Sequence, residues 1–205
     1  MNQILEARMA QVLMQDLSTT VGQFLEAVSA PNAAPGGGSV AAMTGASAMA
    51  LGVMVAGRLL EKETQPQKVA TLRSKRDLLV QLRDRLQAAI REDAAAYNAV
   101  LQSTKRPMID PERGAAIQQS LNVAIAVPLA IMELAVTGRD VLRELIPFAS
   151  TPLAADLKAG VFVARAAGEC ALACVKVNLE SLKDDPREPE LLKQLAPYEE
   201  RLRRD

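Results

Sequence analysis

The sequence predicts an all-α protein, a multi-helical up-and-down bundle of about six to eight long helices with small-residue faces. Three observations predict it. Apolar residues recur at spacings of three and four along nearly the whole chain, the periodicity of helices with one buried face. No Asn-Gly turn joins alternating segments, so nothing signals a hairpin. Hydrophobic residues make up 49% of the 205 residues, yet aromatics only 2%, a composition suited to helices packed at short distance.

Each element follows from its own pattern. Residues 4–14 are apolar at helical spacing and read as an extension helix within 1–17. Ser18 is placed to cap the next helix, which carries Val21, Phe24, Leu25 and Val28 and is ended by Pro31 and the glycines beyond it. A third helix runs from near Ser39 to near Lys62. In it Ala41, Gly45, Ala48, Gly52 and Ala56 form a stripe that lets another backbone approach closely. Pro66 suits a first helical turn, and Val69, Leu72, Leu79, Leu82, Leu86, Ile90, Tyr97 and Val100 carry one long helix to just before Pro107. Pro111 opens a helix that Gly138 should stop. Pro128 should kink it and free one backbone carbonyl. A short helix over 139–146 and a loop over 147–152 follow. Residues 154–182 form another long helix with a second small stripe, Gly160, Ala164, Ala167, Gly168 and Ala171. Asp184-Asp185-Pro186 breaks it, and 188–204 forms a last helix. With no internal repeat, residues 1–205 read as a single helical domain. The two stripes also point to a homodimer, without saying which packs the monomer and which the pair.

Composition excludes several classes of function. Lys and Arg number 24, as do Asp and Glu, and no basic block interleaved with aromatics marks a nucleic-acid surface. Residues 40–57 lack charge and are long enough to test as a membrane span, but they are rich in Ala, Gly, Ser and Thr, so insertion gains little. Glu6 and Arg8 interrupt any apolar leader. The expectation is a cytoplasmic protein with no membrane or nucleic-acid partner. The chain has no histidine, so no metal site is expected. Cys170 and Cys174 lie four apart on one helical face and read as a pair of core residues.

The segment Pro35-Gly36-Gly37-Gly38-Ser39 holds the most chemical information. Ser39 is a natural N-cap, so the glycines read as a loop whose N–H groups converge on a helix N-terminus, where an anion or polar ligand edge fits. The alternative is a tight turn that lets two helices pack closely. A nucleotide loop is excluded, because Val40-Ala41-Ala42 stands where Lys-Ser/Thr is required. Without histidine, proton transfer falls to a carboxyl group, Lys, Tyr or Cys. Asp93, three residues after Ile90, lies near an apolar stripe where burial would raise its pKa; a surface aspartate beside Arg91 and Glu92 is the other reading. Tyr97 shares its face. Asp156 follows Ala154-Ala155 at a helix start, where a cap role competes with a ligand role. Lys158 sits in the same first turn, where a cation is disfavoured, so ligand contact competes with a solvated lysine, and Asn178 must find partners if it faces inward.

These residues in this order resemble the formiminotetrahydrofolate cyclodeaminase and methenyltetrahydrofolate cyclohydrolase family. The likeness is carried by Phe24-Leu25-Glu26-Ala27-Val28 leading into Ala34-Pro35-Gly36-Gly37-Gly38-Ser39, then Asp93-Ala-Ala-Ala-Tyr97-Asn98, Val127-Pro128-Leu129, Asp156 and Val177-Asn178, over roughly residues 18–183. The resemblance implies a helical homodimer and a folate one-carbon enzyme, with no cofactor beyond the tetrahydrofolate derivative it acts on. It implies that Asp93 is the catalytic acid–base group. Gly36, Gly37, Gly38 and Ser39 would bound the cleft, with Tyr97, Asp156, Lys158 and Asn178 contacting substrate. Arg58, Lys105 or Lys158 would attract the acidic glutamate tail.

The chain departs from the family's pattern at polar positions. Ala149-Ser150-Thr151-Pro152-Leu153-Ala154-Ala155 replaces a loop rich in Asn and Ser before Asp156. Ile125-Ala126 replaces Thr and an acid, Cys174 stands where Asn is usual, and Arg106-Pro107-Met108 replaces Leu-Pro-Lys. Apolar substitutes cannot hydrogen-bond a pterin edge, which keeps open an alternative: a diverged helical scaffold or small-molecule binder of the same fold.

Overall fold

The computed structural model describes residues 20–32, 34–181 and 187–204. These residues form six α-helices, α1 (Val21–Ser29), α2 (Gly37–Leu60), α3 (Pro66–Thr104), α4 (Arg113–Leu145), α5 (Thr151–Glu180) and α6 (Glu188–Arg203), with one 3₁₀ turn, Ile146–Phe148. No strand occurs among the described residues, so the fold is all-α. The extension helix expected over 4–14, the Ser18 cap and the 184–186 break lie outside the described residues.

Local chemistry sets the helix ends. Thr20 caps α1 and Gln23 returns the bond to the Thr20 N–H, a capping box. Pro66 and Pro152 stand in the first turns of α3 and α5, where a missing N–H costs nothing. Gly138 does not stop a helix. It lies in the middle of α4, where a Cβ would fall 2.1 Å from Met49 Sδ. It is glycine so that α2 can approach, and the separate helix over 139–146 is simply the end of α4.

Helices α2 to α5 make the bundle: α2 packs against α3, α4 and α5, α3 against α4, and α4 against α5. Short connections join successive members, as antiparallel neighbours require. The two small-residue stripes face each other inside it. A Cβ on Gly160 would lie 3.5 Å from the Ala48 carbonyl oxygen, and one on Gly45 would lie 3.5 Å from Ala167 Cβ. Both stripes are therefore spent within one chain, on the contact between α2 and α5. Leu72, Leu79, Leu86, Ile131, Met132, Leu142 and Leu157 fill the core around them. Helices α2 and α4 are each long and apolar enough to cross a membrane by length and composition, and about half of each such stretch is buried inside the bundle.

Helix α6 is fastened by a polar knot. Arg139, only 2% exposed, donates from Nη1 to the Arg201 carbonyl at 2.7 Å and from Nε and Nη2 to Asp140 Oδ1 at 3.1 and 3.0 Å. Arg201 Nη2 donates to Asp140 Oδ2 at 2.7 Å. Burial pushes the Asp140 carboxyl up, but the hydrogen bonds and charges of the two guanidinium groups outweigh it and hold Asp140 below its ordinary value.

Candidate functional site

A cavity of about 460 Å³ opens where the N-terminus of α2 meets α3, α4 and α5. Gly36, Gly37 and Gly38 form one rim. Asp93, Ala96, Tyr97 and Val100 come from α3, Leu121 and Ala124 from α4, and Ala173, Cys174, Val177 and Asn178 from α5. The size and the apolar wall with a few polar groups suit a small molecule. A second groove of about 710 Å³ lies between α3 and α4, lined by Gln102, Ser103, Arg106, Gln119 and Ser120 among others. The first contains the Asp93 carboxyl, whose pKa is displaced.

Asp93 is held by the start of α2. Ser39 Oγ donates to Asp93 Oδ2 at 2.8 Å, and the Ser39 N–H also donates to the carboxylate. The carboxyl presses on the backbone at Gly38, where a Cβ would lie 2.0 Å from Oδ1 and 2.5 Å from Cγ. Only glycine at 38 leaves that space. Burial raises the Asp93 pKa above its ordinary value, partly offset by the two Ser39 donors. The Ser39 hydroxyl has a second acceptor, Ile90 O at 3.1 Å. It can donate to an ionised Asp93, or turn to Ile90 O and accept from a protonated one. That suits a group that gains and loses a proton.

Several expectations change here. Ser39 is not the cap of α2: Gly36 is, and Ser39 is the third helical residue, buried and turned toward Asp93. The helix N-terminus therefore receives an anion from its own chain. Cys170 and Cys174 are not core residues. Cys170 is exposed and Cys174 half-buried at the cavity wall, where a Cβ on Gly37 would lie 3.2 Å from its Sγ. Burial, then the charge of Asp93, raises the Cys174 pKa and favours the thiol. Tyr97 stands at the rim, 45% exposed. Asn178 lines the cavity and donates from Nδ2 to Ala124 O at 2.6 Å.

Asp156 and Lys158 are not brought to this cavity. Asp156 lies beyond the first turn of α5, which starts at Thr151, and at about 1.5 Å per residue it is some 27 Å along the axis from Cys174. Lys158 is exposed in the same region. Arg58 lies in the last turn of α2 and Lys105 follows α3; neither lines the cavity, and among the described residues no Lys or Arg does. Among the described residues no three His, Cys, Asp or Glu side chains gather to hold a metal ion. Sequence reasoning missed Cys174 as a lining residue and the pressure of Asp93 on Gly38. The run of three glycines was the available signal for the second.

Residues 20–197 match the family profile described as Formiminotransferase-cyclodeaminase. The formimidoyltransferase-cyclodeaminase of Gallus gallus is 31% identical over 169 residues, covering 80% of this chain and 31% of that protein. The chain thus spans about a third of such bifunctional relatives. The methenyltetrahydrofolate cyclohydrolase of Methylorubrum extorquens is 29% identical over 180 residues, 86% of each chain. The crystal structure of formiminotetrahydrofolate cyclodeaminase from Thermotoga maritima superposes with a TM-score of 0.80 at 22% identity, covering 89% of both chains, a likeness of fold.

Proposed function

The chain belongs to the formiminotransferase-cyclodeaminase family, and we propose that it is a folate one-carbon enzyme that interconverts formimino-, methenyl- or formyl-tetrahydrofolate with Asp93 as its acid–base group. The observation that carries the reading is the Asp93 carboxyl, half-buried at the cavity wall with a raised pKa and held by Ser39 against Gly38.

Both reactions of the family ask the same service of it. In cyclodeamination the N10 amine attacks the carbon of the protonated formimino group and gives its proton to the Asp93 carboxylate. Asp93 passes that proton to the departing nitrogen, ammonia leaves, and the methenyl bridge closes. In hydrolysis the Asp93 carboxylate takes a proton from water as the oxygen bonds to the methenyl carbon. It then returns the proton to N5 as the carbon–N5 bond breaks and the hydroxyl proton is released to solvent, giving the 10-formyl compound. A raised pKa supports both halves of the exchange near neutral pH. The apolar wall of Ala96, Val100, Leu121, Ala124 and Val177 limits water around the carboxyl.

The test follows methenyltetrahydrofolate by its ultraviolet absorbance. Loss of the methenyl compound with added protein identifies hydrolysis; its appearance from 5-formiminotetrahydrofolate with ammonia release identifies cyclodeamination. No acceleration of either reaction would overturn the proposal and leave a helical binding scaffold.

The same reading includes pairing with a second copy. Its support is an exposed apolar face along α5, where Phe162 and Val177 are 70% and 62% exposed and Ala166 and Ala173 lie between them. A light-scattering mass of two chains at micromolar concentration is expected, and a mass of one chain would contradict it.

A further inference from the structure

The backbone of α4 is open at one place, and that place is in the cavity wall. Pro128 lies inside α4 and has no N–H, so the carbonyl of Ala124, four residues earlier, has no helical donor. A carbonyl left without a partner inside a protein is costly. Asn178 supplies the donor from α5, with Nδ2 2.6 Å from Ala124 O. Both Ala124 and Asn178 line the cavity. The direction of the amide follows from chemistry. A carbonyl oxygen only accepts, so the amide end that meets it must be the NH₂; the reverse orientation would set oxygen against oxygen. With one N–H spent on Ala124 O, Asn178 keeps its acceptor Oδ1 and a second N–H for a ligand, in a wall where Ala124, Ala173 and Val177 are apolar and Ser181 carries a hydroxyl.

We propose that Pro128 and Asn178 act as one device, in which the carbonyl that Pro128 leaves open fixes the Asn178 amide so that its oxygen accepts from an N–H edge of the cavity's ligand. Resting on the folate reading, that edge is the 2-amino and N3–H side of the tetrahydropterin ring, which presents adjacent donors. A ligand edge carrying only acceptors leaves that oxygen without a donor. Asn178 touches the ligand; Pro128 is a positioning residue that acts through it.

The experiment measures equilibrium binding of 5-formyltetrahydrofolate to wild type, Pro128→Ala, Asn178→Ala and the double variant, with melting temperatures. Alanine at 128 supplies the N–H, the helix closes on Ala124 O, and Asn178 is released to rotate. Pro128→Ala should melt no lower than wild type yet bind about tenfold more weakly, the scale of one hydrogen bond. The double variant should bind no more weakly than Asn178→Ala alone. A second arm uses an analogue with methyl in place of the 2-amino group. Wild type should bind it about tenfold more weakly than the parent compound, and Asn178→Ala should not discriminate. This arm decides the matter even if Pro128→Ala folds poorly. Unchanged affinity in a well-folded Pro128→Ala, multiplying losses in the double variant, or discrimination retained by Asn178→Ala would each overturn the inference alone. If wild type binds no tetrahydrofolate compound, the functional reading fails and the pterin assignment falls with it.

Discussion

Two aspartates, Asp93 and Asp140, sit on neighbouring helices of one bundle and are pushed in opposite directions. Asp140 is bracketed by the Arg139 and Arg201 guanidinium groups, which hold its carboxyl low. Among the described residues Asp93 meets the Ser39 hydroxyl and N–H and no cation, and burial raises it. The difference is the presence of a cation. A carboxylate with two cations is a fastening. A carboxyl with hydrogen-bond donors but no cation stays able to exchange its proton, which is a chemical function.

The largest way to break the contrast is at Gly38. Gly38→Val places a side chain where the Asp93 carboxyl lies and should lower turnover by about 10²-fold or more, with folding checked by melting temperature. Gly37→Val meets only Cys174 Sγ, at 3.2 Å from the added Cβ, and should lose less activity than Gly38→Val. Full activity in Gly38→Val would separate the glycine loop from the chemistry.

The fastening breaks at Arg139. Arg139→Ala removes three hydrogen bonds from a buried side chain and should destabilise the fold by about 3 kcal/mol in urea unfolding. KM should stay unchanged, because Arg139 does not line the cavity.

The pH dependence of stability sharpens the comparison, because the signs differ. The folded pKa of Asp140 is lowered, so its contribution is present above the unfolded value of about 3.9 and is lost as pH falls through the folded pKa. Asp140→Asn should flatten that acid limb. The folded pKa of Asp93 is raised, so its contribution is complete below about 3.9 and is lost as pH rises through the folded pKa. Asp93→Asn should therefore be at least as stable as wild type at neutral pH, with a gap that grows from acid toward neutral pH. Parallel stability curves for the two variants would remove the contrast.

The smallest effects are expected at Asp156 and Lys158. Substitution of either by alanine should change turnover by less than about twofold, as for surface positions away from a site. A tenfold loss would mean that a second copy brings these residues to the cavity.

Much of the fold was legible because each helix carries its own apolar stripe and its own Pro or Gly punctuation. Gly138 misled because a glycine that admits Met49 looks, in sequence, like one that ends a helix. The site was legible in part. Asp93, the glycines and Asn178 stand out by residue type and neighbours. The use of Ser39 was not readable, since a cap and a first-turn donor share the same residue and differ only by where α3 passes. The placement of Asp156 and Lys158 at the distant part of α5 was likewise hidden, because distance along α5 matters only once α2 and α3 are known to meet its C-terminal half.

The most direct test is the turnover of Asp93→Asn beside wild type with 5-formiminotetrahydrofolate and methenyltetrahydrofolate as substrates, measured with its melting temperature. Asparagine keeps the shape and the Ser39 bonds but cannot exchange the proton. The account predicts a loss of about 10²–10⁴-fold with a melting temperature equal to or above that of wild type. Turnover within threefold of wild type in a folded Asp93→Asn would contradict it.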